Sequence, residues 1–203
     1  MSFQQLLGFA MKLFFSIFLA AALSIGATSA ARAESYAQLV SRLGNAGGFQ
    51  SSVEQMLLGK LNAFRASKGL HRLSADGTFT NAARAHALDM AQRGYLGHSS
   101  ASGLDFSGRM LSLHVQQDQL STMGENAVMM YPANSASKVA SVLFNSWLRS
   151  PHHVDNMLRR DFTKVSTGAV FLNGKAYADQ IFSGPLVVHQ KLNSSGQGLR
   201  FWQ

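Results

Sequence analysis

Val165-Ser166-Thr167-Gly168-Ala169-Val170-Phe171-Leu172-Asn173-Gly174-Lys175-Ala176-Tyr177-Ala178-Asp179-Gln180-Ile181-Phe182 is the stretch that decides the fold. Two short β-rich runs, Val165 to Leu172 and Lys175 to Phe182, flank Asn173-Gly174. An Asn-Gly pair between such runs is the strongest short-range hairpin signal, because both central residues of the favoured turn need positive φ. The segments upstream read mostly as helices. Helices followed by a hairpin argue for an α+β class.

Working back from the hairpin, Pro151 opens a short helix through Leu158, at the one helical position where proline is tolerated. Ser135 or Ser137 caps a helix with Val139, Val142, Leu143, Ser146 and Trp147 on one face, ending at Ser150. Met123 to Tyr131 reads as a strand and Phe106 to His114 as a short helix, with a polar, Gly-rich loop from His98 to Gly108 before it. Ser74 or Asp76 is expected to start a helix running to Gly94, with Phe79, Ala82, Ala83, Ala87 and Met90 as its buried stripe. An earlier helix carries Leu57, Leu61 and Phe64 at helical spacing; Ser52 is its expected cap, with Gln55 as a weak capping-box partner, and Gly69 stops it. A short helix from Ser35 to Leu43 and a Gly-containing linker precede it. Leu186 to Leu192 is expected to add an edge strand.

Chemistry concentrates on three residues far apart in sequence: His98 in Gly97-His98-Ser99, Glu125 in Gly124-Glu125-Asn126, and His153 in Ser150-Pro151-His152-His153. Imidazoles and carboxylates bind divalent metals or move protons near neutral pH. No pair has the tight spacing of a His-Glu-x-x-His helix, so any site must be assembled by the fold. Each residue also has a bland reading: a helix-terminal histidine bonded to backbone for His98, and a loop-tying carboxylate for Glu125. A carboxylate entering the apolar run Ala127-Val128-Met129-Met130 needs a partner, and His98 and His153 are the expected ones. Asn126 is expected to tie loop backbone. Asn156, three residues beyond His153, either orients that histidine or caps backbone, and capping is preferred. His71, His86 and His114 read as surface or satisfied histidines.

These motifs in this order resemble the CAP superfamily, also called the SCP-like extracellular domain, in its bacterial form. The resemblance runs from near Leu57 to near Phe182. It rests on Leu61-Asn62-Ala63-Phe64-Arg65, on His98-Ser99 with Gly103 and Arg109, on Gly124-Glu125-Asn126, on Trp147-Leu148-Arg149-Ser150-Pro151-x-His153-x-x-Asn156, on Gly168, and on Tyr177 to Phe182. It implies an α-β-α sandwich, a small antiparallel sheet between helical layers. It places His98, Glu125 and His153 in a cavity, His152 taking a position that is often glycine, with Asn126, Ser150 and Asn156 as supporting residues. Many relatives complete a tetrad with a second Glu three residues after the Trp; here Ser150 stands there, which removes a hard ligand and a base and leaves Ser150 as a helix cap. The implied ligand is a divalent metal such as zinc, with His98, His153 and Glu125 as its donors, or a lipid or sterol. Met110, Met123, Met129, Met130 and Met157 could line a lipid groove, although ordinary core is the commoner use.

Composition narrows the choice. Met11-Lys12, the apolar run Leu13 to Ile25 and Ala31-Arg32-Ala33 describe a secretory signal peptide cleaved after Ala33, with Met11 as an alternative start. The expected organisation is a signal peptide at 1–33, an extension and linker at 34–52, the CAP-like domain at 53–185, and an edge strand and tail at 186–203. The net charge of +8 loses Lys12 and Arg32 on cleavage, and the remaining charges are scattered. Nucleic-acid binding is therefore a poor expectation, whereas an acidic envelope polymer or peripheral contact with an anionic membrane fits better. The chain has no cysteine, which excludes a thiol nucleophile and disulfide support and suits the bacterial branch. There is no Gly-x-Ser-x-Gly elbow to make Ser99 or Ser100 a nucleophile. The leading expectation is an exported or periplasmic ligand-binding domain. Two alternatives are a hydrolase of envelope polymer or peptide using Glu125 as base, and a surface interaction module with a structural His/Glu cluster.

Overall fold

The computed structural model describes residues 35–44 and 49–185. The expected signal peptide and the expected edge strand at Leu186 to Leu192 lie outside them. In chain order the elements are α1 (Tyr36–Gly44), α2 (Ser51–Ser67), β1 (Ser74–Ala75), α3 (Thr80–Arg93), α4 (Phe106–Ser112), a 3-10 turn (Gln119–Thr122), β2 (Met123–Met130), α5 (Ala136–Leu148), α6 (Pro151–Leu158), β3 (Lys164–Leu172) and β4 (Lys175–Ser183).

The hairpin forms as its sequence demands. Asn173 and Gly174 both take positive φ, 51° and 70°, and β3 pairs antiparallel with β4 from Lys164↔Ser183 to Leu172↔Lys175. Strand β2 adds antiparallel to the far side of β4, and the sheet order is β1-β3-β4-β2. The sheet is mixed rather than purely antiparallel, because Ser74 and Ala75 run parallel to Lys164 and Val165. That pairing uses the residues expected to start α3. The helix begins instead at Thr80, after a turn in which the Asp76 carboxylate accepts from the Thr78 amide at 3.0 Å.

Alternation along the strands produces two cores. Ala127, Val170, Tyr177 and Ile181 meet α1, α3 and α4 through Tyr36, Val40, Ala83, Ala87, Met90 and Met110. Val128, Val165, Ala169, Ala178 and Phe182 meet α2, α5 and α6 through Leu57, Leu61, Leu143, Trp147 and Met157. Helices therefore cover both faces of the sheet, the α-β-α sandwich. Helix α3 lies so close that a Cβ on Gly168 would sit 2.3 Å from the Arg84 nitrogen and 2.4 Å from the Ala83 carbonyl carbon. The alanine stripe of α3 and the missing side chain at Gly168 are two halves of one contact.

Several helix ends follow local chemistry. Ser135 caps α5 by accepting from the Lys138 amide, and Asp105 caps α4 by accepting from the Gly108 amide. Gly94, at φ 69°, ends α3 in the left-handed conformation. Ser52 is not the cap of α2, which starts at Ser51 with Gln50 at the N-cap and no side-chain capping bond. Ser150 occupies the N-cap of α6, but its hydroxyl makes no capping bond either; its carbonyl accepts from Val154. Among the described residues no helix is long and apolar enough to cross a membrane.

Candidate functional site

His98 leaves α3 on a loop that the helix itself pins. Asp89, near the end of α3, accepts from the Tyr95 hydroxyl at 2.7 Å and from the Ala101 amide at 2.8 Å. His86 donates from Nε2 to the Gly97 carbonyl at 2.8 Å. Arg109 of α4 donates to the carbonyl of His98 itself at 2.9 Å. The backbone on both sides of His98 is thus fixed, while its side chain remains 54% exposed.

Glu125 enters from β2, on the face shared with Met123 and Ala127. Its side chain is 2% exposed. His98 donates from Nδ1 to Oε2 at 2.8 Å, and the fully buried Arg109 donates to Oε1. Burial alone pushes the Glu125 carboxyl up; His98, Arg109 and His86 outweigh it and hold it below the usual range. The bond from Glu125 pushes the His98 imidazole up against the opposing effect of burial. The result is an ion-pair chain, Arg109 to Glu125 to His98, that runs from the core to the surface.

His153 arrives on α6, on the other side of the edge strand β2. Amide bonds fix that helix to the strand. Asn156 donates to the Glu125 carbonyl and to the Asn126 side-chain oxygen, both at 3.0 Å, and Asn126 donates to the His153 carbonyl at 3.1 Å. Gly124 leaves the room they need, since a Cβ there would lie 3.1 Å from Asn156 Oδ1. At the far end of α6, buried Arg65 donates to the carbonyls of Met157 and Arg159, at 2.7 and 2.9 Å. Asn62 holds Leu73 through both its amide and its carbonyl. The Leu61-to-Arg65 run is therefore scaffolding for α6 and the loop after α2. Asn126 and Asn156 tie backbone rather than a ring.

His153 Nδ1 is buried without a hydrogen-bond partner. Burial, then the charge of His98, then His152, push its imidazole down, so it is the neutral member of the histidine pair. The fold brings His98 and Glu125 into direct contact and leaves His153 beside them with no bond to either. Of the three expected metal donors, Glu125 is already taken up by other partners. Both Glu125 oxygens are engaged, and among the described residues no group of three or more His, Asp or Glu is arranged around an ion. Nε2 of His98 is not taken up by these bonds, and His153 Nδ1 is buried without a partner.

The methionines take the commoner of the two uses expected of them. Met110, Met123 and Met157 are core residues, and Met129 and Met130 are half-buried. A cavity of about 390 Å³ touches Met123 alone among the five, where Phe79, Val115 and Pro185 meet Asp76 and Lys164. His86 is fully buried, satisfied at Nε2 by the Gly97 carbonyl and unpaired at Nδ1. Sequence reasoning named Arg109 as a motif residue of the resemblance but gave it no role in the site. The signal it passed over was an arginine next to Met110 and Leu111 in a short helix whose other residues are small or apolar.

This architecture and this edge-strand site define a CAP domain. The chain belongs to the CAP family, the cysteine-rich secretory protein family, whose model matches residues 58–184; the cysteines of that name are absent here. It is 27% identical over 142 residues to the uncharacterized protein YkwD of Bacillus subtilis, covering 70% of this chain and 52% of that protein. The chain thus spans about half the length of that curated relative. Among solved structures it is similar to an extracellular SCP-domain protein of Bacillus anthracis, at a TM-score of 0.53 and 25% identity, over 67% of this chain and 41% of that one. An outer surface protein of Borrelia burgdorferi shares the fold at a TM-score of 0.51 and 16% identity, over 65% of this chain and 92% of that one.

Proposed function

We propose that this chain is an exported ligand-binding domain whose recognition groups are the imidazoles of His98 and His153, and that a divalent metal such as zinc is the ligand they take. The observation that carries the reading is the bond from His98 Nδ1 to Glu125. A carboxylate on one ring nitrogen fixes the tautomer, orients the ring and raises the basicity of the other nitrogen, which is the usual second-shell support for a metal-binding histidine. His153, kept neutral by burial, needs no deprotonation to bind. A bound metal supplies Lewis acidity and a fixed point for an anionic group of a larger ligand. Export is supported by the N-terminal sequence and by the extracellular description of the Bacillus anthracis relative.

The hydrolase alternative asks Glu125 to accept a proton from water. Its carboxylate is engaged by two donors and held below its ordinary range, which makes it a poor base. Calorimetric titration of the purified chain with zinc chloride tests the binding reading. The expected result is saturable binding that strengthens as pH rises and His98 loses its proton, and that is abolished in His98→Ala and His153→Ala. Binding of equal strength in both variants, or no binding by the wild-type chain, would overturn it.

A further inference from the structure

The cavity of about 390 Å³ beside Met123 takes no part in the histidine site. It lies at one end of the sheet, on the face that packs against α3. Its floor is a row across three strands: Met123 of β2 stands opposite Ser183 of β4, and Ser183 stands opposite Lys164 of β3. Directly opposed residues present their side chains to the same face of a sheet. One wall is the turn that leads from Asp76 to Phe79 at the start of α3, and the other is the chain between α4 and β2, with Val115 and Gln119.

The lining is chemically divided. Phe79, Val115 and Met123 offer an apolar surface. Against it stand one cation and one anion. Lys164 Nζ lies 4.0 Å from Asp76 Oδ2, beyond hydrogen-bond distance, so the two charges share the cavity without closing on each other. Asp76 is held from behind, because its Oδ1 accepts from the Thr78 amide at 3.0 Å and from the Thr78 hydroxyl at 2.6 Å. Oδ2 is left as an acceptor. Burial pushes the Asp76 carboxyl up, and the Thr78 bonds together with Lys164 outweigh it and keep the group anionic. Two further donors line the cavity, the Ser183 hydroxyl and the Gln119 amide nitrogen, and among the described residues no hydrogen bond engages either. A simple anion is drawn by Lys164 but repelled by Asp76, and a simple cation meets the reverse. A molecule that carries both charges close together satisfies both groups and leaves the cavity neutral. We propose that this cavity binds an apolar α-amino acid, with its ammonium on Asp76 Oδ2, its carboxylate on Lys164 and Ser183, and its side chain against Phe79, Val115 and Met123. The volume is at the lower end of the range of about 300–1,000 Å³ usual for small-molecule sites, which suits a single amino acid rather than a peptide.

L-Phenylalanine, titrated into the purified chain and followed by amide NMR shifts, is the probe. The expected result is saturable shifts at Phe79, Val115, Met123 and Lys164. Two analogues each lack one charge: hydrocinnamate has no ammonium, and L-phenylalaninamide has no carboxylate. Both are expected to bind at least about fivefold more weakly, the scale of one partly exposed charged contact. Lys164→Met removes the cation from a half-exposed side chain and keeps most of its stem, and in it L-phenylalanine is expected to bind no better than its amide. Asp76→Asn keeps an acceptor for Thr78, and in it L-phenylalanine and hydrocinnamate are expected to bind alike. The absence of saturable shifts, or shifts confined to another surface, would overturn the proposal. So would hydrocinnamate binding the wild-type chain as tightly as L-phenylalanine, or an unchanged affinity for L-phenylalanine in Lys164→Met. None of these readouts involves a metal, so they stand or fall independently of zinc binding.

Discussion

Replacing Arg109 with methionine removes the buried cation while keeping most of its stem packed between the rings of Tyr36 and Phe106, 5.9 and 5.6 Å from the guanidinium. Both charged groups of the Arg109–Glu125 pair are inaccessible, with side chains 0% and 2% exposed. Breaking such a pair by deleting one partner costs about 3–5 kcal/mol, because the remaining charge is left buried. Domains of this size have about 5–15 kcal/mol in total, so Arg109→Met is expected to lower the melting temperature by about 6–20 °C, at roughly 2–4 °C per kcal/mol. The pH dependence separates this from a packing defect. In the wild type the Glu125 carboxyl lies below its unfolded value, so its stabilisation is present above about pH 4.5 and lost as pH falls. In the variant the Glu125 carboxyl moves up, and the deficit is largest near neutrality and shrinks towards about pH 4. Urea unfolding at several pH values measures it. The double variant Arg109→Met, Glu125→Gln, with no buried charge left in the pair, should regain at least about 1–2 kcal/mol over additivity. A deficit that is independent of pH, or a double variant that is simply additive, would refute the reasoning.

Two further outcomes follow from the same geometry. The His98 imidazole is pushed up by Glu125, so its stabilisation is complete below its unfolded value near about pH 6.5 and disappears as pH rises through the folded one; with a half-exposed ring the effect of His98→Gln is expected to stay under about 1 kcal/mol, seen by urea melts at about pH 5.5 and absent at about pH 8.5. Gly168→Ala puts a methyl group into the backbone of α3 at 2.3–2.4 Å, so α3 must shift and stability is expected to fall by about 1–3 kcal/mol or more; an unchanged melting curve would show that the helix does not bear on the strand as described.

The scaffold was legible because its signals are local. Asn173-Gly174 demands a turn with two positive φ angles, and the strands on either side fall where the β-rich runs place them. Pro151 starts α6 and Gly94 ends α3 for reasons contained within a few residues. The start of α3 misled because Ser74 and Asp76 look like caps, yet what holds Ser74 and Ala75 is a parallel pairing with Lys164 and Val165, about ninety residues away. The site was half legible for the same reason. Histidines and a carboxylate flanked by glycines stand out in a sequence. Arg109 does not, because a buried arginine and a surface arginine have the same letter and differ only in what faces them.

Arg109 and Glu125 neutralise each other inside the core, where both side chains are sealed from solvent. His98 is then the point at which the network exchanges protons with solvent, since its ring is half exposed while Arg109 and Glu125 are sealed. Anything that binds at His98 and displaces its proton is felt at Glu125 through a single hydrogen bond and at Arg109 through one more. The exposed imidazole is accordingly the responsive element, and the buried Arg109 and Glu125 set the strength of its response.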